Sequence, residues 1–291
     1  MIYGIRTWNQ LGDSAIATGA VRNVKSAYPD LKFRYTGYAE ALWENNPDVV
    51  DSAPDVELPL LRYAEDSEQG DEDERNAARG NVVEGCTRTL CSHLHISEVP
   101  IITRTPVLFL DDEEKELSER WEGRWLLNAN CQYMSRSKGY PWWQEVVDSL
   151  KGEIPVVQIG SRDARNLSPD LTGVLDWRGK SENLRMFLSM VYGCAGVITP
   201  PSGIMNIGAA FGKKMVVVTG AREAVSLTGY PNTEYVGSEC CGFGPCRGCM
   251  SQTFEKERPC RNPVVRRHQR YSRCMDMIKP GRVAEAVRRK L

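Results

Sequence analysis

Short apolar runs alternate with helical patterns along most of this 291-residue chain, and this alternation constrains its fold more than any other feature. Ile2–Ile5 is apolar, Ser14–Tyr28 repeats apolar residues at helical spacing, and Lys32–Thr36 alternates like a strand. The order of strand, glycine-containing loop, helix and strand is the opening unit of a parallel α/β sheet. In this half of the chain we also predict a strand at Val107–Leu110.

The second half of the chain repeats the alternation after a break at residues 119–124. Its predicted strands are separated by helices of about ten residues, which indicates βαβ units in a mostly parallel sheet. We therefore predict an α/β fold with two facing Rossmann-like domains, residues 1–120 and 121–291, the second of which ends in a helix. The strands of the second domain are predicted at Trp125–Asn128, Val156–Ile159, Gly196–Thr199, Met215–Val218 and Glu234–Val236.

Composition and net charge are those of an ordinary globular protein, with 41% hydrophobic and 26% charged residues. The formal net charge of −1 gives no reason to expect nucleic acid or an anionic membrane as a partner. No apolar run approaches the ~20 residues that span a bilayer. The N-terminus also lacks the apolar stretch and cleavage site of a signal peptide. We therefore expect a cytoplasmic protein without a membrane span.

The first candidate site is Gly12-Asp13, which follows the first predicted strand. A glycine here lets a ligand approach the backbone, and Asp13 would stand at the mouth of a cleft between the domains. A carboxylate in that place could take a proton from a hydroxyl group, as a general base must. The alternative is that Asp13 only caps a helix that begins at Ser14.

The second candidate site is the helix start after the strand at Gly196–Thr199, which begins with Ser202 and Gly203 and includes Asn206. A helix start presents free backbone N–H groups and the positive end of the helix dipole, which suits a diphosphate. The alternative is close packing of a small-residue helix on the sheet. No G-x-G-x-x-G pattern follows the first strand, which argues against a nicotinamide or flavin cofactor.

A third candidate is Lys138, in a loop that opens a helix. Its ammonium group could neutralise phosphate charge on a leaving group. Arg136 is an equally good candidate, and either residue could instead be solvated.

Cysteines are concentrated near the C-terminus, where six of the ten lie in the segment 240–274. A reducing compartment favours thiols or metal ligands over disulfides. Four of these cysteines would supply soft ligands for a structural tetrahedral zinc or iron ion. The four are Cys246, Cys249, Cys260 and Cys274, and Cys240 and Cys241 could substitute as ligands. The alternative is a set of unligated thiols.

In this order, these segments resemble the ADP-heptose:lipopolysaccharide heptosyltransferase family, glycosyltransferase family nine. The matching segments are residues 12–13, 17–22, 28–29, 45–51, 138–142, 156–160, 179–212 and 274–283. The resemblance implies two facing lobes of GT-B type, with the acceptor on the N-terminal lobe and an ADP-sugar on the C-terminal lobe. It also implies that Asp13 is the catalytic base. Two residues depart from the family pattern, since Pro201 replaces an aspartate and Asn206 a histidine.

We therefore predict a glycosyltransferase that transfers a heptose or hexose-like sugar from a nucleotide-diphosphate donor to a hydroxyl acceptor, with inversion and with Asp13 as the base. The acceptor is a glycan, a protein or a modified nucleic acid, and no catalytic metal is expected. The oligomeric state stays open. The residues expected to bind the donor are Gly12, Lys138, Ser202, Gly203 and Asn206.

Three alternatives stay open from the sequence. The first is a glycosyltransferase that acts on hydroxymethylated bases in DNA through the basic tail, since Arg258–Leu291 carries eleven basic and two acidic residues. The second is a non-catalytic protein that binds a nucleotide sugar or uses its cysteines in an interaction. The third is a sugar-nucleotide epimerase, which needs no acceptor.

Overall fold

The computed structural model of this chain describes residues 1–7, 10–60, 80–130, 138–163, 168–220, 225–238, 260 and 262–291. The strands are β1 (Ile2–Thr7), β2 (Lys32–Tyr35), β3 (Val56–Leu60), β4 (Trp125–Asn128), β5 (Val156–Ile159), β6 (Leu175–Asp176), β7 (Gly196–Thr199), β8 (Lys214–Thr219), β9 (Thr233–Gly237), β10 (Pro263–Arg266) and β11 (Gln269–Ser272). The helices are α1 (Leu11–Ala27), α2 (Val82–His93), α3 (Asp112–Ser118), α4 (Trp143–Ser149), α5 (Leu184–Gly193), α6 (Gly203–Ala210), α7 (Arg273–Asp276) and α8 (Pro280–Arg288).

The N-terminal half is built on a three-stranded parallel sheet in the order β2-β1-β3. Ile5 in β1 pairs with Tyr35 on one side and Leu58 on the other, and all three side chains are buried. Helix α1 packs against β1 and α2. The third strand of this sheet is β3, and residues Val107–Leu110 belong to no strand or helix. The predicted strand at Val107–Leu110 is therefore wrong.

Side chains of α1 bind the backbone of residues 102–107, the segment that leads into the expected strand. Asn23 is fully buried, and its Oδ1 accepts hydrogen bonds from the N–H groups of Ile102 (3.0 Å) and Thr103 (2.9 Å). Its Nδ2 donates to the carbonyl oxygen of Thr103 (3.0 Å). Farther along, the Val107 N–H donates to Thr18 Oγ1 (2.8 Å). Two side chains of α1 therefore satisfy backbone groups of this segment in place of strand pairing.

The C-terminal half is built on a six-stranded parallel sheet in the order β6-β5-β4-β7-β8-β9. The chain proceeds from β4 outward to β6, then returns beside β4 and proceeds to β9 on the other side. Ligands of such doubly wound sheets bind beyond the carboxyl ends of the strands at this reversal, here between β4 and β7. Only the hairpin β10–β11 is antiparallel among the described strand pairs, so the predicted mostly parallel α/β fold is confirmed.

One continuous apolar cluster joins the two sheets. It includes Ile5 and Ile16 from the first half and Leu126 and Ile204 from the second. A second cluster lies on the other face of the large sheet, beneath α4 and α8, and buries Val287 completely. The predicted domain boundary at residue 120 falls between α3 and β4 and stays a prediction. Among the described helices, none has the length and apolar character to cross a membrane.

Arg185 of α5 joins the two halves of the chain through a buried ion pair. Its Nε donates to Glu114 Oε1 (2.6 Å), and its Nη2 also bonds the other oxygen of that carboxylate. Nη1 donates to the carbonyl oxygen of Ala41 (2.9 Å) and Nη2 to that of Phe109 (2.8 Å). The side chains of Arg185 and Glu114 are only 11% and 13% exposed. The guanidinium group therefore connects the α5 surface to two separate segments of the N-terminal half.

We expect Arg185→Met to lower the free energy of unfolding by about 3 kcal/mol, because Glu114 would be left buried without its counter-ion. Urea unfolding, followed by circular dichroism, measures this loss. The control is Arg289→Met, which removes an Arg–Glu pair with Glu234 whose arginine is 57% exposed. Solvent screens that pair, so its loss should be far smaller. Equal losses in the two variants would contradict the role of Arg185 as an interlobe contact.

Candidate active site

The N-terminal ends of α1 and α6 touch through two glycines. A Cβ atom at Gly203 would lie 3.3 Å from the backbone nitrogen of Gly12, and one at Gly12 would lie 3.5 Å from the Gly203 Cα. Each helix follows a parallel strand, β1 or β7, so both tips lie at carboxyl ends of strands. The approach leaves almost no space for side chains. It brings together two segments that the sequence analysis identified separately.

Asp13 lies in the first turn of α1 and is half-buried. The helix begins at Leu11, with Gln10 as the N-cap, and the Gln10 side chain makes no capping hydrogen bond. The alternative in which Asp13 caps a helix beginning at Ser14 is therefore wrong. A carboxylate in a first turn is stabilised by the positive end of the helix dipole.

The neighbours of Asp13 that come from the N-terminal half of the chain are buried and closely packed. Burial, together with the negative charge of Asp13, raises the pKa of the Cys86 thiol to about 12, so this neighbour stays uncharged. The next residue, Ser14, accepts a hydrogen bond from Trp43 Nε1 (3.2 Å). The Trp43 ring stacks on Tyr35 with 4.8 Å between centroids. The helix turn that carries Asp13 is thus fixed by a buried aromatic pair.

Asn206 extends from the first turn of α6 toward α1. Its side chain is buried, and its Nδ2 lies 2.8 Å from the place that a Cβ at Gly12 would occupy. Its Oδ1 accepts a hydrogen bond from the Tyr230 hydroxyl (2.8 Å). Sequence reasoning missed Tyr230, because the contact joins residues 24 positions apart and no local pattern marks this tyrosine.

Ser202 is the N-cap residue of α6, but its side chain makes no capping hydrogen bond. Its Oγ lies 2.9 Å from Thr199 Oγ1 and accepts from Asn128 Nδ2 (3.2 Å). Because the Thr199 hydroxyl donates to the carbonyl oxygen of Pro200 (2.7 Å), the Ser202 proton is directed to Thr199. These side chains connect the carboxyl ends of β4 and β7 at the reversal of strand order. Ser202 therefore fixes the loop, and the N–H groups of the α6 first turn are the donors suited to an anion.

Lys138 contacts the same loop. Its Nζ donates to the carbonyl oxygen of Pro201 (3.3 Å), next to the start of α6. Arg136, the other candidate cation, lies outside the described residues. The structure therefore gathers all six predicted residues of the cleft at the two helix tips. They are Gly12, Asp13, Lys138, Ser202, Gly203 and Asn206.

The predicted cysteine site lies only partly within the described residues, since Cys246 and Cys249 fall outside them. Cys260 is half-buried, and Cys274 Sγ lies 2.7 Å from the place of a Cβ at Gly220, just after β8. Across the described ranges, no three His, Cys, Asp or Glu side chains gather to bind a metal ion. The four-cysteine set stays a prediction.

No protein-family model matches this sequence, and no curated protein matches it either. Solved structures match nearly all of it. The E. coli ADP-heptose lipopolysaccharide heptosyltransferase II matches with a TM-score of 0.63 and 13% identity, over 100% of this chain and 98% of that one. A family nine glycosyltransferase from Veillonella parvula matches with a TM-score of 0.63 and 12% identity, over 99% and 96%.

A third similar structure is that of TibC, an iron-containing dodecameric glycosyltransferase from enterotoxigenic E. coli. It matches with a TM-score of 0.64 and 16% identity, over 99% of this chain and 75% of TibC. TibC has also been solved in complex with ADP-D-β-D-heptose. This chain therefore has the two-lobed GT-B fold of the heptosyltransferases, as the resemblance in the sequence implied.

We expect Gly12→Ala to destabilise the protein by about 1–3 kcal/mol, because the added methyl group would overlap the fixed Asn206 amide. The control is Gly281→Ala, since each glycine is the second residue of its helix and a Cβ at Gly281 meets nothing within 4 Å. That change should be neutral or stabilise the protein by up to about 1 kcal/mol. Urea unfolding compares the two. If both alanines were tolerated equally, the helix tips would not touch in solution.

Proposed function

We propose that this protein is a glycosyltransferase that transfers a sugar from a nucleotide-diphosphate donor, most suitably an ADP-sugar, to a hydroxyl acceptor. The observation that carries the proposal is the contact of Gly12 with Gly203, which brings the first turn of α1, the turn that contains Asp13, against the tip of α6. The shared fold of TibC, which has been solved with ADP-D-β-D-heptose, supports the choice of donor. The acceptor is a glycan, a protein or a modified nucleic acid.

In the proposed reaction, Asp13 accepts the proton of the acceptor hydroxyl. The hydroxyl oxygen forms a bond to the anomeric carbon of the donor while the bond from that carbon to the phosphate oxygen breaks. The nucleoside diphosphate leaves with the electron pair. Attack from the face opposite the leaving group inverts the configuration of the anomeric carbon. Asp13 thus acts as a general base from the acceptor-side lobe.

The negative charge that develops on the leaving diphosphate needs donors that are already in place. The N–H groups of the α6 first turn and the Lys138 ammonium meet at one loop and supply them. Asn206 adds a neutral N–H donor from the same turn. The proposal assigns no step to a metal ion. It leaves the sugar as a heptose or another hexose-like sugar, because an amide replaces the histidine of the family pattern.

We expect Asp13→Asn to lower turnover ~10²–10⁴-fold, the usual effect of losing a general base. Donor affinity should change little, because the group acts on the acceptor. The control is Asp112→Asn, which makes the same change of charge in the first turn of α3, where the Asp112 side chain is 99% exposed. Near-normal turnover in Asp13→Asn would remove this carboxylate from the mechanism.

The donor is identified by a thermal-shift series with ADP, UDP, GDP and CDP. A ligand that binds only the folded protein raises the melting temperature by mass action, and we expect ADP to give the largest rise. No rise with any of the four would contradict the proposed function. Binding of a nucleotide sugar without product from any acceptor would instead support the non-catalytic alternative.

We also expect the purified protein to contain stoichiometric zinc or iron on its four cysteines. Elemental analysis measures the metal, and Cys246→Ser with Cys249→Ser should abolish it. Because a structural metal stabilises the fold, the double variant should also melt at a lower temperature. The control is Cys194→Ser, a change at a fully buried thiol in the main apolar cluster that is not a predicted ligand. Unchanged metal content in the double variant, or none in the natural protein, would contradict the cysteine site.

A further inference from the structure

The carboxamide of Asn206 lies between two different surroundings. Its oxygen accepts the hydrogen bond of the Tyr230 hydroxyl (2.8 Å), while its nitrogen lies against Gly12 in the first turn of α1. An amide turned by 180° would exchange these two atoms. One orientation presents N–H donors to the cleft, and the other presents a carbonyl oxygen. The orientation therefore decides whether position 206 attracts or repels an anion.

We infer that Tyr230 is a positioning residue that fixes the Asn206 amide with its NH2 group facing Gly12, at the tip of α1, and the donor diphosphate. The inference deepens the proposed function and rests on it. Tyr230 donates to the amide oxygen, so that oxygen is engaged away from the cleft. An amide that accepts a hydrogen bond at its oxygen is also polarised, which strengthens its N–H donors.

The Tyr230 hydroxyl is well placed to set the amide because Tyr230 itself is firmly packed. Its side chain is only 4% exposed and belongs to the apolar cluster that joins both sheets. Its backbone N–H donates to the carbonyl oxygen of Thr228 (2.7 Å). Asn206 is likewise 5% exposed. Two buried side chains therefore meet in a geometry that the surrounding core determines.

The chemistry of the site favours the observed orientation. A carbonyl oxygen turned toward Gly12 would present partial negative charge to the leaving diphosphate. An NH2 group in the same place can donate to that diphosphate, and hydrogen bonds to charged groups are the stronger kind. Asn206 carries no charge in either orientation, so its effect on a bound anion depends on the orientation of the amide.

The test is a double-mutant cycle of Tyr230→Phe and Asn206→Ala, read by calorimetric affinity for ADP and by turnover. We expect Tyr230→Phe to weaken ADP binding about tenfold, as the loss of one charge-assisted hydrogen bond would. In the Asn206→Ala background the same change should alter ADP affinity less than about twofold, since the amide that Tyr230 orients is already absent. An equal loss in both backgrounds would show a merely structural role and overturn the inference.

Tyr235→Phe is the matched control for loosening of this loop. Its hydroxyl donates to the carbonyl oxygen of Thr228 and accepts from the backbone N–H of Tyr230 (3.4 Å), so its loss weakens the loop but leaves the Tyr230 hydroxyl in place. We expect this variant to lower stability and to weaken ADP binding far less than Tyr230→Phe. If Tyr235→Phe weakened ADP binding as much as Tyr230→Phe, general loosening of the loop would explain both, and the inference would fail.

A measurement without any ligand separates this inference from the proposed function. Nuclear Overhauser contacts between the Asn206 NH2 protons and the Gly12 Hα protons should be present in the natural protein and weaken in Tyr230→Phe. Their absence from the natural protein would overturn the inference even if ADP binds. If they are present and sensitive to Tyr230→Phe while no nucleotide binds, the orientation stands and the proposed function fails.

Discussion

The contact of two helix N-termini through Gly12 and Gly203 determines the character of the whole cleft. Each helix end carries partial positive charge, so bringing two together is electrostatically unfavourable. The Asp13 carboxylate in the first turn of α1 offsets part of this charge. A bound diphosphate would offset more, because it would lie at the α6 tip. The fold thus produces a positive potential at the two helix ends, and this potential favours the binding of a negatively charged group there.

Packing between the lobes is what maintains this contact against the repulsion of the helix ends. The apolar cluster is continuous from Ile5 in the first sheet to Ile204 in α6. Arg185 adds a buried ion pair and two backbone contacts across the same junction. Side chains on both sides are closely packed, so the relative position of the two helix tips follows from the core. The same core packing therefore holds the candidate site residues near one another.

Sequence patterns correctly predicted the features that depend on the local order of strands, loops and helices. They failed for features that depend on contacts between residues far apart in the chain. Parallel strands and the six cleft residues follow from strand–loop–helix order, because the carboxyl ends of parallel strands meet at one edge. The strand expected at Val107–Leu110 did not form. The Val107 N–H bonds the Thr18 side chain, and the buried Asn23 binds the backbone just before, at Ile102 and Thr103. The role of Tyr230 was equally invisible, because its contact with Asn206 depends on the packing of α6 against the segment before β9.

The family that this sequence resembles has a histidine at the position of Asn206, so an amide gives the proposed donor site a different chemistry. A histidine would bring a charge that changes between about pH 5 and 8, whereas the Asn206 amide donates the same hydrogen bonds throughout that range. Positive charge then comes from Lys138 and from the helix dipoles, and backbone dipoles do not titrate at all. Without a titrating group, Asn206 can assist an anion only by its orientation. A buried hydroxyl at Tyr230 provides that orientation and adds no charge.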